Sequence, residues 1–293
     1  MRNVLITGAS GFLGQRATDS ILTQTNLNLI LLHRDSTDLS FLEKHQSQRI
    51  SKVNIQDSKF IKNLHNNYFD CVIHIATNYG RKNPNLKEII YCNLILPLEI
   101  LQSRNSSGIS HFINIDSYFN KFGNRYDQLF DYSNSKKSLQ LWLKHESENI
   151  KVSNLLLEHM YGPGDTKDKF VPRLINHVKN DFKTDLKLSP GGQVRDFIYV
   201  DDVANAIVEV LTHPSPRNYE ELQIGTGFGH TIKEIGQIIC NSLNKENKIN
   251  FGEGWYRKSE IMSSIADLST MKEYNWVPNV DLETGINWIL SND

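Results

Sequence analysis

Residues 4–7, Val-Leu-Ile-Thr, run directly into Gly8-Ala9-Ser10-Gly11-Phe12-Leu13-Gly14, and no other feature restricts the fold of this chain as tightly. A short apolar run, three glycines spaced by three and a helix-forming stretch over 14–24 predict a strand, a tight turn and a helix. A dinucleotide pyrophosphate suits such a turn. Glycines lack Cβ, so the backbone can approach the phosphates, and the first amides of the helix point at the anion. A bare glycine-rich junction would need no ligand; its place at the head of a strand–helix series is what points to a dinucleotide. Gly8, Ser10, Gly11, Phe12, Leu13 and Gly14 are therefore assigned to the cofactor.

The alternation continues along the chain. Residues 29–32, 50–53, 71–76, 111–115 and 151–157 read as strands, and 86–103 and 135–148 as helices. Strands separated by helices predict βαβ units and a parallel sheet, covered on both faces, so that its strands are continuous apolar runs. The expected class is α/β, a Rossmann-type doubly wound parallel sheet with a smaller α/β C-terminal substrate lobe. After Tyr161 the pattern loosens. Turn clusters fall at 162–165 and 189–192, a helix with an acidic start at 201–211, and polar loops at 244–260. Thr231 and Glu234 have the spacing of a capping box for a helix to 242. The expected division is 1–158 plus about 193–228 for the dinucleotide and 159–192 plus about 229–293 for the nucleotide-sugar lobe. No linker separates them, which predicts a shared interface where a ligand sits.

Composition narrows the function classes. The 293 residues are 39% hydrophobic and 22% charged, enough for a sizeable core. The 32 basic and 33 acidic residues leave a net charge of −1, which speaks against a nucleic-acid partner. The apolar runs fall short of the roughly 20 residues a membrane span needs. A strand pattern that begins at once predicts no signal peptide, and three scattered cysteines (Cys71, Cys92, Cys240) fit a reduced, cytoplasmic setting. Ten histidines without ligand spacing predict no metal site.

The end of the second strand selects the dinucleotide. It reads Leu31-Leu32-His33-Arg34-Asp35. An arginine here pairs with the 2′-phosphate of NADP(H), the preferred reading; Asp35 would serve the ribose of NAD(H) if the strand ran one residue further. Tyr132 and Lys136 share a helix face at a spacing of four. A neighbouring ammonium is expected to lower the phenol's pKa from about 10 and make Tyr132 a usable acid or base. Ser117 ends the strand 15 residues earlier, where a hydroxyl can meet a substrate oxygen.

Taken together, these motifs resemble the extended short-chain dehydrogenase/reductase family of nucleotide-sugar epimerases, dehydratases and reductases, over nearly the whole chain. The resemblance is carried by Thr7 to Gly14, Asp57, His74-Ile75-Ala76, Asn93, Ser117/Tyr132/Lys136, Tyr161-Gly162-Pro163-Gly164, residues 195–204 and Trp276-Val277-Pro278. It implies that Asp57 contacts adenine, that Ala76, Thr77 and Asn93 lie along the cofactor, and that Tyr132 and Lys136 also touch it. It implies that Arg195 and Arg257 hold the substrate diphosphate, with Tyr79, Ser117, Tyr118, His159, Phe170 and Val171 as further substrate contacts. The implied activity is NADPH-dependent reduction of the C4 ketone of a CDP-linked 4-keto-6-deoxy or 3,6-dideoxyhexose, for O-antigen sugars of lipopolysaccharide, by a cytoplasmic homodimer. The dimer would pair through helices 86–103 and 135–148, the second with an apolar stripe of Leu139, Trp142 and Leu143.

Alternatives are an NAD-dependent 4-epimerase or dehydratase and a non-catalytic NADP sensor. Tyr118 follows Ser117 where a dehydratase carries acid/base residues, and retention of Tyr132 and Lys136 speaks against the sensor. The chain departs from the family at Glu158-His159, where x-Asn is usual, at Leu156 and Leu157, where an arginine is usual, and in the short loop holding Lys121, Asn124 and Arg125.

Overall fold

The computed structural model describes residues 2–45, 47–81, 85–104, 108–121, 129–180, 186–245 and 249–292. Its strands are β1 (Asn3–Thr7), β2 (Asn28–His33), β3 (Ile50–Asn54), β4 (Cys71–His74), β5 (His111–Ser117), β6 (Lys151–Leu157), β7 (His159–Tyr161), β8 (Val194–Arg195), β9 (Phe197–Tyr199), β10 (Tyr219–Ile224), β11 (His230–Thr231) and β12 (Ser263–Ser264). The helices are α1 (Phe12–Gln24), α2 (Phe60–Asn66), α3 (Leu86–Ile90), α4 (Leu96–Gln102), α5 (Phe130–Glu146), α6 (Phe170–Lys179), α7 (Val200–Thr212), α8 (Ile232–Ser242) and α9 (Leu282–Asn292).

Seven strands form one sheet in the order β10-β6-β5-β4-β1-β2-β3. The registers from β3 through β2, β1 and β4 to β5 are all parallel. The chain winds outward from β1 in both directions, so the order reverses between β1 and β4. A crevice opens at such a reversal beside the carboxyl ends of the strands. This is the Rossmann arrangement expected from the sequence, and continuous apolar strands are its cause. Leu5, Ile30, Val72 and Phe112 of the sheet are buried with Leu96, Ile100, Leu139 and Leu143 of the helices. Each such side chain stabilises the fold by about 1.5–3 kcal/mol.

The chain divides into two compact units: Met1–Leu156 with Ala204–Leu222 and Glu273–Asn275, and Leu157–Val203 with Gln223–Lys272 and Trp276–Asp293. The second unit has its own core, in which Leu174, Phe197, Tyr199, Ile235, Ile239 and Ile286 are buried. Its helix α8 opens with the expected capping box: the Glu234 amide donates to Thr231 Oγ1, and the Thr231 amide donates to Glu234. Asp196 is fully buried there, and its carboxylate accepts from the Thr226, Gly227 and Ala266 amides and the Thr226 hydroxyl.

Two helices differ from their sequence outline. The segment read as one helix over 86–103 contains a π-helical stretch, Tyr91–Ile95, between α3 and α4. Helix α5 starts at Phe130, five residues before the expected 135, so Tyr132 is helical. The serines of this segment sit within the helix because Ser133, Ser135 and Ser138 hydroxyls donate back to carbonyls three or four residues earlier. Leu139 and Leu143 are fully buried against the sheet, whereas Leu141 and Trp142 face outward at 60% and 51% exposure. The expected stripe is thus split between the core and the surface.

Candidate active site

The glycine turn is built as its pattern requires. Gly8 has φ +72, and a Cβ there would lie 2.6 Å from the Ala76 amide nitrogen at the end of β4. A Cβ on Gly14 would come within 2.0 Å of the Gly8 carbonyl oxygen, so α1 packs directly on the turn. Gly11 caps α1 and donates its amide to Gly8 O at 3.0 Å. Leu13 is buried in the core, so of its groups only the backbone remains for a ligand, whereas Ser10 and Phe12 are half-buried. The turn is pinned across the switch point by Thr7, whose hydroxyl accepts from the Ala76 amide at 3.1 Å and lies 2.8 Å from His74 Nδ1. Burial, followed by the Lys136 charge, holds His74 well below its ordinary pKa, hence neutral.

β2 ends at His33, so Arg34 is the first residue beyond the strand. Arg34 and Ser10 line a pocket of about 310 Å³ together with Ser36, Thr37, Asp38 and Ser40. Asp35 is turned away, accepting from Asn54 Nδ2, with its own amide donating to Gln56. Asp57 lies three residues past β3, its Oδ1 accepting from the Lys59 amide. A glycine turn that a Cβ would fill and an adjoining hydroxyl-rich pocket with a guanidinium together fit a dinucleotide.

At the end of β5, Ser117 lies close enough to the Tyr132 phenol to influence its proton, which brings the two expected catalytic groups together. Lys136 lies one turn along α5, 1% exposed, and its Nζ donates to the Ile115 carbonyl at 2.7 Å. The expected lowering of the Tyr132 pKa is not what the structure has. Burial first, then the Tyr79 phenol, with smaller effects from Asp116 and Tyr118, raise it well above its ordinary value, and the neighbouring Ser117 hydroxyl opposes them only in part. The site holds a protonated phenol, a proton donor. Tyr79 stacks on Tyr132 with ring centres 4.7 Å apart, and Phe119 meets it edge-on at 6.2 Å. Tyr118 packs on Phe119 at 4.2 Å.

The loop that carries Ala76, Thr77 and Tyr79 is fixed from the π segment. Asn93 is fully buried; its amide donates to the Asn78 carbonyl and to Ser135, and its oxygen accepts from the Asn78 amide. The oxygen and the NH2 of Asn93 are all used in these three bonds inside the protein, so it holds this loop against α5. Thr77 donates to the Ile75 carbonyl.

In the second unit, Arg195 is 5% exposed and pairs with Glu260 at 2.5 Å, while its Nη1 donates to the Val194 carbonyl. Arg257 lies on the exposed loop before Glu260, whose amide donates to the Arg257 carbonyl. His159 packs on Phe197 at 5.4 Å, and burial, then the charges of Arg195 and Lys169, bring its pKa down to about 3. Phe170 lies 6.4 Å from the same ring, and Val171 is buried in the core of this unit. Glu158, the other departure from the family pattern, is buried and accepts from the Ser264 hydroxyl. Of the short loop, Asn124 and Arg125 lie outside the described residues.

Sequence reasoning bears on Asp116, the carboxylate before Ser117, only through the dehydratase alternative, whose acid/base pair is incomplete because Tyr118 follows Ser117. Asp116 is 3% exposed and accepts from the Ser117 amide at 2.7 Å, from both Asn120 contacts and from Asn154 Nδ2 at 2.9 Å. The signal was available: Asn114, Asp116 and Asn154 are polar residues inside strands that are otherwise apolar.

Comparison with known proteins places this geometry. A model of the NAD dependent epimerase/dehydratase family matches residues 4–225. CDP-abequose synthase of Salmonella muenchen is 31% identical over 297 residues, covering 99% of this chain and 97% of that one. The Salmonella typhimurium protein of the same name is 32% identical over 307 residues, with 98% and 97% covered. A UDP-glucuronic acid 4-epimerase from Bacillus cereus, solved with UDP-glucuronic acid and NAD, superposes with a TM-score of 0.81 at 20% identity, covering 99% of this chain and 100% of that one.

Proposed function

The chain belongs to the NAD-dependent epimerase/dehydratase family, and from that premise we propose that it reduces the C4 ketone of a CDP-linked 4-keto-6-deoxy or 3,6-dideoxyhexose with NADPH. The observation that carries this reading is the match to two CDP-abequose synthases along almost the whole chain, to which the buried Tyr132 beside Ser117 adds a group able to give a proton. Epimerisation and dehydration both begin by removing a proton from a C4 hydroxyl, which asks for a base. Reduction asks for an acid, and a phenol protonated at neutral pH can serve as one, although burial that raises its pKa also makes it a weaker acid. The resemblance to two CDP-abequose synthases over almost the full length supports the nucleotide and the position of the ketone.

The chemistry that a bound reduced dinucleotide supplies at this site is a hydride for C4. Gly8, Gly11 and Gly14 would hold its pyrophosphate, Arg34 with Ser10 its 2′-phosphate, and Lys136 its nicotinamide ribose. Tyr132 protonates the oxygen on C4 while Ser117 donates to it and stabilises its developing charge. Arg195 and Arg257 are the diphosphate ligands in this reading, and Arg195 must then share its guanidinium between Glu260 and phosphate. Asp57, Ala76 and Thr77 line the cofactor. Tyr79, Tyr118, His159 and Phe170 border the sugar, with Val171 supporting Phe170 from the core.

The enzyme works as a homodimer in this reading. Leu86, Tyr91 and Ile95 on the α3–α4 segment and Leu141 and Trp142 on α5 are exposed apolar side chains on helices that touch one another. A second copy of the same helices would cover them. Its place is the cytoplasm and its product an O-antigen sugar. The test is NADPH consumption against CDP-, dTDP-, GDP- and UDP-4-keto-6-deoxyhexoses. Turnover with the CDP sugar is expected; tightly retained NAD with no net dinucleotide consumption would favour the epimerase.

A further inference from the structure

We propose that Asp116 is a positioning residue of this site, whose carboxylate holds Ser117, the turn Tyr118–Lys121 and β6 in one arrangement and supplies the counter-charge for the buried Lys136 ammonium. Its part in the reaction rests on the reduction described above; the charge coupling itself does not.

The geometry is that of a carboxylate site. Oδ1 accepts from the Ser117 amide at 2.7 Å and Asn120 Nδ2 at 2.8 Å, and Oδ2 accepts from Asn120 Nδ2 and Asn154 Nδ2, both at 2.9 Å. Every contact is a donor, which suits the ionised, acceptor-only form; burial raises the Asp116 pKa, and the Lys136 charge and these donors oppose that rise. The orientation of Asn154 is not free, because its oxygen accepts from Asn114 Nδ2 at 2.7 Å and so turns its NH2 toward Asp116. Three segments meet on this one group: the end of β5, the turn that places Phe119 against Tyr132, and β6.

Lys136 needs that group. A buried ammonium with one neutral acceptor is costly unless an opposite charge offsets it. Nζ has the Ile115 carbonyl, and the next residue in the strand is Asp116. Burial lowers the Lys136 pKa, and Asp116 is the foremost influence raising it, ahead of Cys92 from the π segment. The other titratable groups around the pair are neutral ones: His74 on β4, Tyr132 on α5 and Tyr219 on β10. Once Tyr132 has given up its proton, the phenolate needs a cation, and Lys136, one turn away on α5, is a buried one. Asp116 therefore acts on the reaction through Lys136 and Ser117 without touching the substrate.

Two variants read the coupling in the apo protein by NMR. In Asp116→Asn, the 13Cε signal of Lys136 is expected to titrate about 1–3 units lower than in the wild type. In Lys136→Met, the Asp116 carboxyl carbon is expected to titrate higher by a similar amount, since coupling is reciprocal. If Asp116→Asn does not fold, the second variant decides alone. Unmoved titrations overturn the proposal. Catalysis gives the other arm: the basic limb of the kcat profile of Asp116→Asn should move to lower pH by the shift seen at Lys136. A moved Lys136 with an unmoved limb would overturn the catalytic role, whereas absence of turnover by the wild type on every 4-keto sugar would count against the reduction and leave the coupling standing.

Discussion

Tyr132 stands as a buried, protonated phenol in contact with Ser117, and its substitution has a direct consequence. Tyr132→Phe keeps the ring that stacks on Tyr79 and removes only the hydroxyl. Reduction is expected to fall by about 10²–10⁴-fold with NADPH binding intact, measured by steady-state rates and fluorescence titration. Turnover close to wild type would take the proton donor elsewhere. Arg34 is the second decisive residue, because it and four hydroxyl-bearing side chains share one pocket whereas Asp35 is committed to Asn54 and Gln56. Arg34→Ala is expected to weaken NADPH by about 10- to 150-fold and NADH far less, the worth of a charge-assisted bond to phosphate. Equal losses for both dinucleotides would show that Arg34 does not read the 2′-phosphate.

Among the elements, the junction of β1, the glycine turn and α1 tolerates least. A methyl at Gly14 would collide with the Gly8 carbonyl and with Ala9 backbone atoms at 2.8 Å, none of which can swing aside. Gly14→Ala is expected to cost about 1–3 kcal/mol in urea unfolding and to weaken dinucleotide binding, since the turn must open. Unchanged stability would mean that α1 can retreat from the turn. This junction, the parallel sheet and the capping box at Thr231 were all legible in the sequence, because each rests on a local pattern with one physical solution. The pairing of Ser117 with Tyr132 was legible through family resemblance. The π segment was not, and the contacts made from it are tertiary ones: Asn93 reaches Asn78 and Ser135, neither of which is its sequence neighbour. The Tyr132 pKa ran opposite to expectation for the same kind of reason. Helical spacing placed a lysine near the phenol but was silent on burial, on Tyr79 and on the carbonyl of Ile115 that takes the ammonium. Arg195 likewise found its partner in Glu260, 65 residues away, and not in its neighbour Asp196.

For the whole molecule, three neutral histidines predict an acid limit. His111 is held down to about 4 and His159 to about 3, both chiefly by burial, and His74 lies well below its ordinary 6.5. The unfolded chain binds protons below pH 6.5 that the fold refuses, so stability rises with pH across that window and is lost as pH falls from 6.5 toward 4. The slope is up to about 1.4 kcal/mol per pH unit for each histidine, readable as the urea midpoint; a midpoint independent of pH would contradict it. Assembly is the second property of the whole chain. Light scattering is expected to give twice the 33.7 kDa chain mass, reduced to one chain by Leu141→Asp with Trp142→Asp; a monomer in the parent protein would end the dimer proposal. The central claim is that the enzyme reduces C4 and consumes one dinucleotide for each sugar. Incubation of a CDP-linked 4-keto-6-deoxyhexose with NADPH deuterated at its transferable position tests it in one measurement, read by NMR of the sugar. The account predicts deuterium on C4 of the product in a one-to-one ratio with NADP formed. A product without deuterium at C4, formed while the added NADPH remains unconsumed, would contradict it.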